Sequence, residues 1–295
     1  MMQADKNRLY KDVEILSSIT PPRNYANINS LDAAAAHIYN ELKMLGLETE
    51  YQYFTAGGKK YKNVTASYQP EKTKRIVIGA HYDVCGDQPG ADDNASGVAG
   101  LLETARMMLA QKPHLDYRVD FVGYCLEEPP FFATNEMGSY AHAKSLYESK
   151  IEVEAMFCYE MIGYFSDEPN SQNFPDPMLA QIYPHTGNYI IVVGRTGAED
   201  FTLKVRDLMR TNAKIGVEAI NLPENTYLAG LSDHRNYWKF GYEAVMIDDT
   251  SFLRNPNYHT KGDTIDTLDF DKMAEVVNGV YRAILKLYAT ASTIK

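Results

Sequence analysis

The chain has 295 residues, 45% hydrophobic and 23% charged, the balance of a soluble globular protein. No run approaches the roughly 18 apolar residues that a membrane-crossing helix needs. With 29 basic against 39 acidic residues the formal charge is −10, which argues against nucleic acid as a partner.

In chain order, helical periodicity predicts a helix over about 6–17 and another over about 31–45, with Gly46 as a stop signal. Strands follow near 48–54 and 61–68, and Gly57-Gly58 between them marks a hairpin. The run 75–80 is short, rich in β-branched residues and ends in His81-Tyr82-Asp83, as a buried strand leading into a polar end would. Asp93 then falls in the turn Gly90-Ala91-Asp92-Asp93-Asn94-Ala95-Ser96-Gly97, which opens a helix near 95–111. Leu101, Leu102, Ala105 and Met108 give that helix an apolar stripe suited to core packing. The segment 117–126 is a second buried strand ending in Glu127-Glu128, and 155–159 a third ending in Glu160. The proline-rich stretch 165–188 is expected to be an irregular loop walling a cleft. Strands near 189–193 and 243–248, a polar loop carrying His259, and a helix over about 270–289 complete the chain. No linker or repeat divides it, so a single domain spanning 1–295 is expected: a three-layer α/β/α arrangement around a mixed sheet.

A His two residues before an Asp is, on its own, more often a satisfied strand-end histidine than a ligand. Here three buried strands each end in a His or a carboxylate, and open α/β sheets place their sites outside the carboxyl ends of strands. If Asp93, Glu127, Glu128 and Glu160 converge, the like charges cannot all stay ionised unaided. Two divalent cations would cancel them, with His81 and His259 each adding a neutral nitrogen. Mixed His and carboxylate ligation suits zinc, and cobalt or manganese is also compatible.

Five motifs, His-Tyr-Asp at 81–83, Asp-Asp-Asn-Ala-Ser-Gly at 92–97, Glu-Glu at 127–128, Glu-Met-Ile-Gly-Tyr at 160–164 and Tyr-His-Thr at 258–260, stand in one order across residues 81–260. In these the chain resembles the zinc aminopeptidases of the M28 peptidase family, a group that includes leucine-type aminopeptidases and, more distantly, glutaminyl cyclases. The resemblance implies two zinc ions per chain. His81 would bind one and His259 the other, Asp93 would bridge them, and Glu128 would complete one metal's shell and Glu160 the other's. It implies Glu127 as the general base acting on a metal-activated water, with Asp83 and Asp263 orienting the two histidines. Peptides with a free N-terminus would be the substrates, and Met161, Tyr227, Phe252 and Tyr258 are candidates for the lining that receives their side chains.

Two positions depart from the family pattern. Glu160 stands where Asp commonly precedes Met-Ile-Gly, and Pro129-Pro130-Phe131-Phe132-Ala133-Thr134-Asn135 inserts a short loop after Glu128 that would narrow access. A glutaminyl cyclase on the same fold is the nearest rival, although there a Trp is expected where this chain has Tyr258. A catalytically inactive binding module is the other alternative, weakened because every ligand position keeps its donor. No Gly-x-Ser-x-Gly elbow, glycine-rich dinucleotide fingerprint or P-loop is present. Cys85, Cys125 and Cys158 show no Cys-x-x-Cys spacing and read as free thiols of a reducing compartment. The charged stretch 1–16 lacks the apolar core of a secretory signal, so a cytoplasmic location is expected. The remaining histidines singled out, His114, His142, His185 and His234, match no motif and are expected at the surface or behind the site.

Overall fold

The computed structural model describes residues 2–290. Helix α1 (Lys6–Ser17) is capped by the Asp5 carboxylate, which accepts the Asn7 amide, and α2 (Ile28–Met44) ends just before Gly46 at φ +82°. Strands β1 (Glu48–Ala56) and β2 (Lys59–Tyr68) form the expected hairpin. Gly57 and Gly58 both take positive φ, as a two-residue turn between right-twisting strands requires.

Next come β3 (Arg75–His81), an irregular turn over Ala91–Ser96, α3 (Gly97–Gln111) and β4 (Arg118–Tyr124). Helix α4 (Gly138–Glu148) precedes β5 (Val153–Glu160), and β6 (Tyr189–Arg195) is followed by α5 (Glu199–Asn212) and β7 (Gly216–Leu222). Short α6 (His234–Trp238), β8 (Ala244–Asp248) and α7 (Phe270–Tyr288) end the chain's regular structure. No helix among the described residues is long and apolar enough to cross a membrane.

All eight strands join one mixed sheet in the order β1-β2-β4-β3-β5-β8-β6-β7. The four central strands β4, β3, β5 and β8 run parallel, so their carboxyl ends emerge at one edge. The flanking pairs β2–β4 and β8–β6 are antiparallel. Alternation along the strands builds two cores. Ile76, Ile78 and Ala80 of β3 join Phe121, Phe157 and Val245 beneath α1, α2, α3, α5 and α7, while Val77 joins Val122, Met156 and Met246 beneath α4 and α6. The closing helix shows how the packing holds: Met273, Val276, Val277, Val280, Tyr281 and Ile284 recur at helical spacing and all are buried. Each such side chain contributes about 1.5–3 kcal/mol on burial.

Four elements, α4, α5, β7 and α6, lie where the apolar pattern marks nothing. Helix α5 buries only Thr202, Val205 and Met209, and β7 is an edge strand with only Val217 buried. Helix α4 turns small and polar residues inward, Gly138, Ser139 and His142 among them, and α6 is five residues long.

Candidate metal centre

The parallel strands deliver their terminal residues to one cleft. His81 is the last residue of β3, Glu127 and Glu128 follow β4 by three and four residues, and Glu160 is the last residue of β5. His81 is fully buried and the four acids, Asp93, Glu127, Glu128 and Glu160, are at most 5% exposed. His81 Nε2 lies 3.4 Å from Asp93 Oδ1, 3.3 Å from Glu160 Oε2 and 3.9 Å from Glu127 Oε2. His259 Nε2 lies 3.1 Å from the other Asp93 oxygen, Oδ2, and 3.3 Å from Glu128 Oε1. Asp93 thus presents one oxygen to each of two donor sets.

The turn that carries Asp93 explains its motif residue by residue. The Asp92 carboxylate accepts the Gly163 amide at 3.0 Å and the Asn255 side chain at 2.8 Å. Asn94 donates to the Tyr159 carbonyl and accepts the amides of Gly97 and Met161, while the Ser96 hydroxyl accepts the Ile162 amide. The turn is stitched along the chain leaving β5, which fixes Asp93 against Glu160. A Cβ at Gly97 would lie 2.3 Å from Asn94 Oδ1 and 2.7 Å from the Tyr159 carbonyl, so only glycine permits that approach. Around the cleft, Leu126, Met161, Thr250, Ser251 and His259 all hold positive φ without being glycine. Residues in this sparsely populated region concentrate where geometry is held by its surroundings.

One assignment is extended and one corrected. Asp83 meets the His81 ring, with Nδ1 3.2 Å from its backbone oxygen and 3.6 Å from Oδ1, but it does more than orient the imidazole. The Asp83 carboxylate oxygens also accept the amides of Glu127 and Glu128, both at 3.0 Å, so Asp83 positions the acidic pair as well. The Asp263 carboxylate likewise accepts the amides of Asp92 and Asp93, at 2.8 and 3.1 Å, and so holds the bridging turn rather than orienting His259. The His259 ring stacks on Tyr258, with centroids 3.7 Å apart.

The wall is also partly revised. Tyr227, Phe252 and Tyr258 line a cleft of about 480 Å³, counting its open mouth, together with Pro129, Phe132, Leu231 and Ser251. Pro129 and Phe132 belong to the inserted loop, which therefore lines the cleft. Met161 is fully buried and lines no part of it; its backbone binds Asn94 and Asp249 instead. Beside this cleft, and sharing Leu231 and Phe252 with it, lies an apolar pocket of about 600 Å³, again counting its open mouth, walled by Ile191, Val193 and Met246. Phe174, Leu179 and Tyr183 from the 165–188 loop form its outer side.

Sequence patterns did not mark several neighbours. The Ser232 hydroxyl donates to Glu160 Oε2 at 2.5 Å, and Asp233 is fully buried near His81 and Glu160. Neither follows a strand, so no strand-end rule finds them. Arg23, also fully buried, donates to the backbone carbonyls of Tyr82, Pro89 and Gly90 and so braces the loop that joins His81 to Asp93. Among the unassigned histidines, His114 and His185 are exposed, whereas His142 and His234 are buried, with His142 Nδ1 2.6 Å from the Tyr237 hydroxyl.

Electrostatics indicate what the cleft accommodates. Burial pushes Glu127 well above the usual carboxylate range, with Glu128 and Glu160 adding to the effect against His81. Burial and the Asp93 charge push Glu128 up to about 8, and burial raises Glu160 too. Burial alone would raise Asp93, yet the nearby His259 and His81 rings hold it low. Burial would lower His259, but Asp93 and Glu128 lift it to about 10. His81 Nε2, Glu127 Oε1 and Glu128 Oε1 have no hydrogen-bond partner although all are buried. Buried polar atoms without partners are uncommon and costly, and together these are oxygen and nitrogen donors of the kind divalent cations take. The groups His81–Asp93–Glu160 and His81–Glu127–Glu128 each bring ligand atoms within 4.8 Å of one another, so the residues fit a metal.

Comparison with known proteins agrees with this architecture. Uncharacterized protein YfbL of Escherichia coli (strain K12) is 42% identical over 285 residues, covering 94% of this chain and 87% of that protein. The chain spans about half the length of the curated leucine aminopeptidases that it matches. Among solved structures, the LapA aminopeptidase of Legionella pneumophila superposes with a TM-score of 0.78 at 21% identity, covering 97% of this chain and 73% of that one. A glutaminyl cyclase of Bacteroides thetaiotaomicron superposes with a TM-score of 0.71 at 20% identity, covering 96% and 98%. The description of Peptidase family M28 matches residues 63–284, a span that contains every proposed ligand, and the chain belongs to that peptidase family.

Proposed function

We propose that the chain is a dinuclear zinc aminopeptidase that removes the first residue of peptides. The observation that carries this reading is the Asp93 carboxylate, with Oδ1 facing His81 and Oδ2 facing His259, each histidine beside a further buried carboxylate. In this reading Asp93 is shared between two ions, His81 and Glu160 complete one set, and Glu128 and His259 complete the other. Such ions supply Lewis-acid polarisation of the scissile carbonyl and bring the pKa of water towards neutrality. The Ser232 hydroxyl fixes the orientation of Glu160, which supports a ligand role despite a side chain longer than aspartate.

Glu127 is the general base. Its Oε1 has no protein partner, and its amide is held by Asp83, so the carboxylate is positioned yet free to take a proton and return it to the leaving amine. The acidic cleft favours a substrate ammonium group, and the adjoining apolar pocket favours a large apolar side chain, at about 0.8 kcal/mol per buried methylene.

Metal analysis and a substrate panel test this together. Two divalent ions per chain are expected, with Leu-amide and Phe-amide cleaved faster than Asp-amide and N-acetyl-Leu-amide inert. A second position that stays empty at saturating zinc would remove the dinuclear assignment. Cyclisation of an N-terminal Gln peptide without release of leucine from Leu-amide would replace the aminopeptidase by a cyclase.

A further inference from the structure

One thiol reaches into the second donor set. Cys85 lies in the bend between β3 and the Asp93 turn and is half-buried, whereas Cys125 and Cys158 are buried. Its Sγ, a Glu128 oxygen and a His259 nitrogen all lie within 4.8 Å of one another. Glu128 is 4% exposed, and its Oε1, 3.3 Å from His259 Nε2, has no hydrogen-bond partner. The backbone holds the sulfur there from both sides. The Val84 amide donates to the Arg23 carbonyl at 3.3 Å, and the Asn24 side chain donates to the Gly86 carbonyl at 2.7 Å.

We propose that Cys85 is a thiolate ligand of the metal position formed by Asp93, Glu128 and His259. The inference rests on the dinuclear reading above. It makes the two positions unequal: four protein donors at the His259 side, against His81, Asp93 and Glu160 at the other. Four-donor protein sites are closed and retain their metal, while three-donor sites keep a coordination position open. The His259 position therefore holds its ion firmly, and the His81 position is the one that exchanges and offers the open place. A sulfur donor also biases the closed position towards zinc, cobalt or cadmium and against magnesium. On binding, the sulfur lone pair forms the bond to the metal and the thiol proton leaves to solvent; nothing is oxidised or reduced.

The test is cobalt(II) loading of the whole chain, wild type and Cys85→Ser, reading cobalt per chain and the near-ultraviolet sulfur-to-cobalt charge-transfer band. The wild type is expected to show the band and Cys85→Ser to lack it while still binding cobalt. Against a competing chelator, Cys85→Ser should lose zinc from one position about tenfold or more faster, at least the effect of losing a residue that merely supports a ligand. Cys85→Ala serves the same comparison if the serine variant misfolds. A wild type without the band, or a band that survives both substitutions, overturns the thiolate ligand. Stoichiometry separates the two readings. At saturating cobalt, one ion per chain with a Cys85-dependent band keeps the ligand and ends the dinuclear reading, whereas two ions without the band do the reverse.

Discussion

Glu127 and Glu128 are adjacent in sequence and are anchored by the same Asp83 carboxylate, yet they face different partners. Glu128 Oε1 is 3.3 Å from His259, whereas Glu127 comes no nearer than 3.9 Å to His81. That separation supports a base in one and a ligand in the other. Glu127→Gln keeps the shape but cannot accept a proton, so turnover should fall on the order of 10²–10⁴-fold with metal content unchanged. Loss of a metal in that variant would make Glu127 a ligand. Arg23 acts at the same scale from outside the motifs. Burial draws its guanidinium down to about 10, with Asp263 and Asp93 opposing the shift, and it satisfies carbonyls on both sides of the His81–Asp93 loop. Arg23→Met strands those acceptors, and the expected cost is about 3 kcal/mol or more, since hydrogen bonds to charged groups are each worth about 1.5–3. Denaturant unfolding of the metal-free protein reads this directly; a loss within 0.5 kcal/mol, the scatter of an ordinary surface change, would mean that the arginine only fills space. Nothing in the string Pro21-Pro22-Arg23-Asn24 announces such a role, because its partners are backbone carbonyls some 60 positions downstream.

Among the elements, the legible ones were those whose chemistry sits within a few residues of a buried strand end. Strands β3, β4 and β5 were marked by apolar runs, and their terminal His81, Glu127, Glu128 and Glu160 converge as strand polarity demands. The amide-holding roles of Asp83 and Asp263 were not legible, because each is defined by backbone amides of another segment. Asp249, just past β8, is a further case. It is fully buried, accepts the amides of Tyr164 and Ser251, and shares a hydrogen bond with the Asp92 carboxyl. Burial, with the neighbouring Asp248 charge, pushes it up to about 8. Its unfolded value is near 3.8, so between these pH values the folded state keeps a proton that the unfolded chain has lost. The stability this contributes is present below the unfolded value and disappears as pH rises through the folded one. Asp249→Asn has no proton to lose. Its stability should therefore fall less steeply between pH 5 and 7, by up to about 1.4 kcal/mol per pH unit, in urea unfolding of the metal-free protein. Parallel slopes for the two proteins would mean that Asp249 is ionised in the fold.

At the scale of the whole molecule, the sheet gathers six of the chain's 39 acidic residues into one buried place. The net charge of −10 is spread over the sequence, but Asp83, Asp93, Glu127, Glu128, Glu160 and Asp233 are all buried within the neighbourhood of His81. Two cores hold the strand ends together, and that packing opposes the repulsion among the acids when no cation is bound. Metal binding and folding are therefore coupled: an ion that binds only the folded chain stabilises it by about 2.7 kcal/mol when its free concentration is 100 times Kd. Chelation should lower the melting temperature, and adding zinc back should restore it in a concentration-dependent manner that sodium chloride does not reproduce. Sodium screens exposed charges within a Debye length but does not replace ligands to buried carboxylates. Calorimetric melts across a zinc titration check this. A melting temperature indifferent to chelator, in a protein shown to have lost its metal, would mean that the acids are neutralised by shared protons and that the cleft tolerates being empty.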